Sequence, residues 1–231
     1  MALPANLSII VTNYNKPPEQ LNECMDSIRA QTVSPKEIIL VDDCSNEPHA
    51  HADAISIVLP KNVGVAKARD IGVKMSSGKL LLFLDADDKL SPDFIQQCGK
   101  VILDCDIAYT NLLMFGNIER NKLVEAPDEV TPEMLIGRTC PVRVTSMMYR
   151  TVYDYLGGFK DLPVYEDWDF WVRAMFNDYT FKKANTLLWY RQNVGSRNCA
   201  SSDLKSDIHK KITAPYHLES GRLVMKEGYG E

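Results

Sequence analysis

The sequence predicts an α/β protein built on a mostly parallel central sheet flanked by helices. Three observations lead there. Apolar runs of strand length, "LSIIV" at 7–11, "EIILV" at 37–41 and "LLLFL" at 80–84, are continuous rather than alternating, as in strands buried on both faces. Segments of helical periodicity separate them. Polar residues gather immediately after the strands, at the edge where open α/β sheets bind ligands.

Each element has its own signal. Leu7–Val11 is rich in β-branched residues and forms the first strand. Pro17-Pro18 then opens a helix that sets Leu21, Cys24, Met25 and Ile28 on one face. Glu37–Val41 and Ala54–Pro60 are the second and third strands. A helix follows, with Val65, Ala68, Ile71 and Met75 at helical spacing and a stop near Gly78. Leu80–Leu84 is the fourth strand, and Pro92 starts a helix running to about Leu103. Asp106–Thr110, Val144–Tyr149 and Thr186–Arg191 have strand character, and Asp167–Asn177 is helical through Trp168, Trp171, Val172 and Met175. Leu112–Pro141 mixes signals and predicts no definite element. Residues 201–231 begin with a polar helical segment, "SSDLKSDIHKKI".

Composition narrows the function classes. With 231 residues, 45% hydrophobic and 25% charged, the chain holds a substantial core in one large domain or two small ones. A net charge of −5 argues against a nucleic-acid partner, which usually meets a basic face. No run approaches the roughly 18 apolar residues of a membrane span, so membrane contact is expected to be peripheral at most. "MALPANLSIIV" lacks the basic segment and long apolar core of a secretion signal. The six cysteines form no C-x-x-C pair, which suits reduced core thiols in a cytoplasmic protein. Oligomeric state leaves no trace in the sequence.

The chemistry-bearing residues sit at three strand ends: Thr12-Asn13-Tyr14-Asn15, Asp42-Asp43, and Asp85-Ala86-Asp87-Asp88. An Asp after a strand is usually a cap or turn residue, but three such clusters at one edge point to a ligand. Asp85 and Asp87 flank a turn and offer two hard oxygens, a donor pair for Mg²⁺ or Mn²⁺ with substrate phosphates completing the shell. The Asp43 carboxylate could accept the N3–H of uracil, with Tyr14 stacked on the ring; cytosine presents an acceptor at N3 and would be refused. Arg69, in the helix after Gly64, is either a diphosphate contact or a solvated charge. Farther on, Gly157-Gly158 permits close backbone approach. Glu166 and Asp167 open a helix, where they serve the helix dipole or supply a general base to an acceptor hydroxyl. Trp168 and Trp171 are core residues or a sugar platform.

In order, "SIIVTNYN", "EIILVDDCS", "NVGVAKARDIG", "LLFLDADD", "LGGF" and "YEDWDFWVR" resemble the family 2 glycosyltransferases across nearly the whole chain. The resemblance implies a GT-A-type, Rossmann-like fold with a smaller acceptor-side region. It implies inverting transfer from a nucleotide-sugar, most often UDP-linked, to an acceptor: a glycan, a lipid-linked saccharide or another hydroxyl. By position, Thr12 and Tyr14 would hold the base, Asn15 would belong to the donor-binding residues, Asp43 would read uracil and Arg69 would contact the nucleotide. Asp85-Ala86-Asp87 would be the D-x-D motif, with Asp85 near the ribose, Ala86 among the donor-binding residues and Asp87 on the metal. Asp167 matches the catalytic base, and Glu166 would support the acceptor side. Residues 1–110 would form the donor half, 111–200 the acceptor half and 201–231 a helical tail.

Two features depart from the family pattern. Many relatives carry a metal-binding His after the last strand, whereas "YRQN" offers Gln192 and Asn193, of which Asn193 could donate a carbonyl oxygen. The chain also has none of the membrane helices of processive synthases, so single addition is expected. A catalytically silent nucleotide-sugar-binding domain is the main rival. A sugar nucleotidyltransferase would need a Gly-rich N-terminal loop, and "TNYNKPPEQ" has no glycine. A D-x-D phosphatase lacks partner motifs, and a Rossmann dehydrogenase lacks its G-x-G-x-x-G turn.

Overall fold

The computed structural model describes residues 6–192 and 201–228. Eight strands form one curled path in the order β3-β2-β1-β4-β8-β6-β9-β5, with β7 paired outside it on β6. The first half of the chain forms the parallel part: β1 (Leu7–Asn13) lies between β2 (Glu37–Asp42) and β4 (Leu80–Asp85), with β3 (Ile55–Val58) at the edge. Continuous apolar strands follow from burial on both sides. Leu7, Ile9 and Val11 pack with helices α1 (Pro18–Arg29) and α3 (Phe94–Val101), while Ile10 joins the opposite cluster with Trp171 and Phe170.

The second half is mixed. β8 (Met147–Tyr149) runs antiparallel to both β4 and β6 (Ile107–Gly116), and β9 (Phe181–Gln192) returns parallel to β6. The unassigned stretch after Leu112 contains the end of β6, the short β7 (Lys122–Val124) and α4 (Pro132–Ile136). β5 (Lys89–Leu90) leaves β4 by a tight turn, yet pairs with β9 at the far edge. A sheet with those two pairings must curl, and the Asp85–Asp88 turn links β4 in its middle to β5 at its end.

Helix α2 (Val65–Met75) corrects the sequence expectation. Its buried residues are Ala66, Ala68, Arg69, Gly72 and Val73, and Met75 is 55% exposed. The face is rotated because Arg69 points inward and Gly72 lets the helix touch β1: a Cβ there would lie 2.4 Å from Ile10 Cγ2. Helix α5 (Arg150–Tyr155) precedes the Gly157-Gly158 turn, and α6 (Glu166–Phe176) follows it. The tail is a helix, α7 (Ser202–Thr213), and then an antiparallel hairpin, β10 (Tyr216–Glu219) with β11 (Arg222–Met225). Ile208 and Ile212 bury α7 against α6. No helix among the described residues is long and apolar enough to cross a membrane.

Candidate active site

Register brings the strand ends together. Thr12 lies beside Val41 on one side and Asp85 on the other, and Asn13 lies beside Asp42. Thr12 Oγ1 donates to Asp85 Oδ1 at 3.1 Å. Asn13 Nδ2 and the Ser45 amide both donate to the buried Asp42, so the first Asp of the pair is spent on its own turn. Asp43 turns away and accepts from the Val63 and Gly64 amides at 2.7 and 2.9 Å. Those bonds fix its carboxylate against the loop before α2 and leave one lone pair on each oxygen. Asn15 sits at φ 50, its amide on Ser45 Oγ and its own Oδ1 receiving the Asn46 amide. Tyr14 is exposed beside it.

Arg69 is the central cation. It is 1% exposed, with Nη2 on Asp85 Oδ1 at 2.8 Å and Nη1 on Glu166 Oε1 at 2.7 Å. Burial works against its charge, but Asp85 and Glu166 more than offset this and hold the guanidinium protonated. Its placement is therefore a buried brace between two carboxylates rather than a group presented to solvent. Glu166 is likewise buried in this pair.

Asp167, next in line, is partly exposed. Tyr165 precedes α6 in the left-handed region at φ 65, which directs Glu166 toward Arg69 and starts the helix abruptly. Desolvation, with the Glu166 charge added, pushes the Asp167 carboxyl up to about 6, while Arg69 and Arg143 pull the other way. A base near neutrality is what proton abstraction from a hydroxyl needs. Trp168 and Trp171 are both buried, and Trp168 Nε1 donates to the Leu135 carbonyl; neither offers a sugar platform.

On the acidic turn, Ala86 is buried with its amide on the Thr12 carbonyl. Asp87 Oδ2 accepts from Lys16 Nζ at 2.5 Å. Asp88 is buried, and desolvation, with Asp87 and Asp85 adding to it, raises its carboxyl well above the usual range. Arg191 secures the turn from β9: its amide reaches Asp88 Oδ1 and its Nε the Asp87 carbonyl, both at 2.8 Å. Among the described residues, no group of three or more His, Cys, Asp or Glu could hold a metal ion. Asp85 and Asp87 are two hard donors, and the charge crowding that raises Asp88 is what an added cation relieves. That set fits a divalent ion taking its remaining ligands from phosphate and water. Asn193 lies outside the described residues.

Sequence reasoning missed Lys16, Arg191 and Arg143. Lys16 carries no local signal, since it meets Asp87 across 71 positions. Arg191 was visible only as the end of a strand. A cavity of about 640 Å³ is lined by Thr110, Glu125, Met134, Thr139, Cys140 and Arg143 among others. It shares Cys140 and Arg143 with the electrostatic surroundings of Asp167.

A curled α/β sheet with an acidic turn on its fourth strand and a carboxylate-led helix across from it defines a GT-A-type glycosyltransferase fold. A family model, Glycosyl transferase family 2, matches residues 8–138, and the chain belongs to that family. It is 31% identical over 97% of its length to the uncharacterized glycosyltransferase YwdF of Bacillus subtilis (strain 168), covering 85% of that protein. The uncharacterized glycosyltransferase MJ1057 of Methanocaldococcus jannaschii is 26% identical over 93% of this chain and 80% of its own. Among solved structures, S. aureus TarS 1–349 in complex with UDP-GlcNAc superposes with a TM-score of 0.68 at 18% identity, covering 93% of this chain and 68% of that one. The chain is thus a glycosyltransferase by family and fold.

Proposed function

We propose that the protein transfers a sugar from a UDP-sugar to an acceptor hydroxyl with inversion, by a single displacement assisted by Mg²⁺ or Mn²⁺ at Asp87 and Asp85. The observation that carries this is Arg69. One guanidinium joins Asp85, on the donor-side turn, to Glu166, the neighbour of Asp167, so the leaving-group and base ends of the reaction lie across a single buried side chain. In this reading Thr12, Tyr14, Asn15 and Asp43 hold the uridine, with Asp43's free lone pairs facing N3–H. Ionised Asp167 takes the acceptor proton while the hydroxyl oxygen forms the new bond to the anomeric carbon. The bond from that carbon to the diphosphate oxygen breaks, and UDP leaves with the electron pair. The ion would neutralise charge growing on the diphosphate. Arg69 supports this indirectly by fixing Asp85 and lowering the proton affinity of Asp167. The cavity beside Arg143 and Cys140 would receive the acceptor.

The donor half would be 1–110, the acceptor half 111–200 and the covering tail 201–231. A cytoplasmic setting, peripheral at a membrane if the acceptor is lipid-linked, accords with the free thiols of Cys24, Cys98 and Cys105.

UDP release from a panel of UDP-sugars tests this without a known acceptor, because transferases slowly pass sugar to water. UDP-GlcNAc is the first donor to try, being the ligand in the TarS complex. Release that needs Mn²⁺, stops with EDTA and is lost in Asp87→Ala is the expected result. No release from any donor, with no calorimetric UDP binding, would overturn the UDP-sugar reading.

A further inference from the structure

Among the described residues, Arg191 holds the backbone of the acidic turn, and two cations of different character, Arg69 and Lys16, meet its D-x-D carboxylates. Arg69 is fixed: 1% exposed and bonded to two carboxylates. Lys16 is exchangeable. Its side chain is 29% exposed against 10% for Asp87, and one ion pair holds it. A lysine ammonium is a compact, strongly hydrated charge on a flexible stem, able to leave a partner without disturbing the backbone. That backbone is fixed on both sides. Asn15 is pinned to Ser45 and Asn46, and Pro17 and Pro18 follow directly. The chain therefore delivers the ammonium from a rigid base to the one D-x-D carboxylate that Arg69 does not hold.

We propose that Lys16 is a tethered counter-ion that occupies Asp87 until a divalent cation displaces it, so that metal loading is coupled to donor binding. This rests on the proposed metal-assisted, UDP-dependent reading of the same site. Without a donor, the incoming ion must release the ammonium and offer Asp87 no other gain. With a diphosphate present, the ion acquires phosphate ligands, and the freed ammonium has an anion to meet at the mouth of the site. Lys16 sets the threshold between the two states.

The test is Mn²⁺ binding followed by electron paramagnetic resonance, with and without UDP, for wild type, Lys16→Met, Lys16→Arg and Asp87→Asn. Methionine keeps much of the stem and removes the charge, and unchanged thermal melting establishes that each variant is folded. Wild type should hold Mn²⁺ weakly alone and much more tightly with UDP. Lys16→Met should tighten UDP-free Mn²⁺ binding by up to about fivefold, in keeping with removal of one partly exposed ion pair, and should narrow the enhancement by UDP. Lys16→Arg should stay weak like wild type. Equal or weaker Mn²⁺ binding in Lys16→Met, or tightening in Lys16→Arg as well, would overturn the proposal. If Mn²⁺ is retained with UDP in wild type and lost in Asp87→Asn, the metal reading survives that failure. If no protein retains Mn²⁺ with UDP and UDP binds equally in EDTA, the metal reading fails and takes this proposal with it.

Discussion

At the scale of single residues, the site is a set of carboxylates tuned by where they sit. Asp167 has a proton affinity raised to about 6. As a base it must be ionised, so kcat/KM should climb with pH through about 6 and level off above it. The same shift has a stability consequence. An unfolded Asp titrates near 3.9, so the folded form binds the proton more tightly. That contribution is full below about pH 4 and is lost as pH rises through about 6. Asp167→Asn should therefore be more stable than wild type at pH 8, by roughly 1–3 kcal/mol in urea unfolding, while turnover falls about 10²–10⁴-fold and UDP still binds. A merely structural carboxylate would show no such opposition. Arg69→Met should behave differently, because it removes the buried cation between the partly buried Asp85 and the buried Glu166. A loss of about 3–5 kcal/mol is expected for breaking such a pair, and any surviving activity should show its acid limb moved upward.

At the scale of elements, what was legible followed apolar periodicity, and what was not followed exceptions to it. Helix α1 buries Leu21, Cys24, Met25 and Ile28, the face its spacing announces. Helix α2 does not: the face it buries carries an arginine and a glycine, Arg69 and Gly72, which no apolar pattern marks, and Met75 is left outside. Arg69 is inside because two distant carboxylates meet it, information absent from any local window. Gly72 is at the interface because β1 passes too close for a side chain. Gly72→Ala should force α2 outward and cost about 1–3 kcal/mol by overpacking, read as a lower urea midpoint with unchanged slope. The strand-end residues Thr12, Asp43 and Asp85 were legible, since a parallel sheet collects its carboxyl ends on one edge. Lys16 and Arg191 were not, since an exposed-type residue far along the chain carries no mark of its partner.

At the scale of the whole molecule, the parallel first half is readable as a repeated pattern, and the mixed second half is not. Short β8 slips antiparallel between β4 and β6, with only two register pairs on each side. Three-residue strands have too little sequence to show a period. The tail is part of the fold: Trp168 lies 4.8 Å from the His209 ring, centroid to centroid, and α7 and the hairpin bury Ile208, Ile212, Tyr216 and Leu223. Deleting residues 201–231 should uncover Trp168, shift tryptophan emission to the red and lower the melting temperature.

The clasp of Arg191 on the Asp87–Asp88 turn also sets a clock on synthesis. The two partners are 104 residues apart in the chain. At about 5–20 residues per second, a ribosome needs about 5–20 s to make the second after the first. Through that interval the emerging protein owns every donor-side motif but lacks the strand that holds its acidic turn in shape. A nascent chain stalled at residue 160 should retain no UDP on a nucleotide resin, whereas one extended past β9 and clear of the exit tunnel should. Binding of UDP would thus begin only once β9 has been made and has closed on the acidic turn.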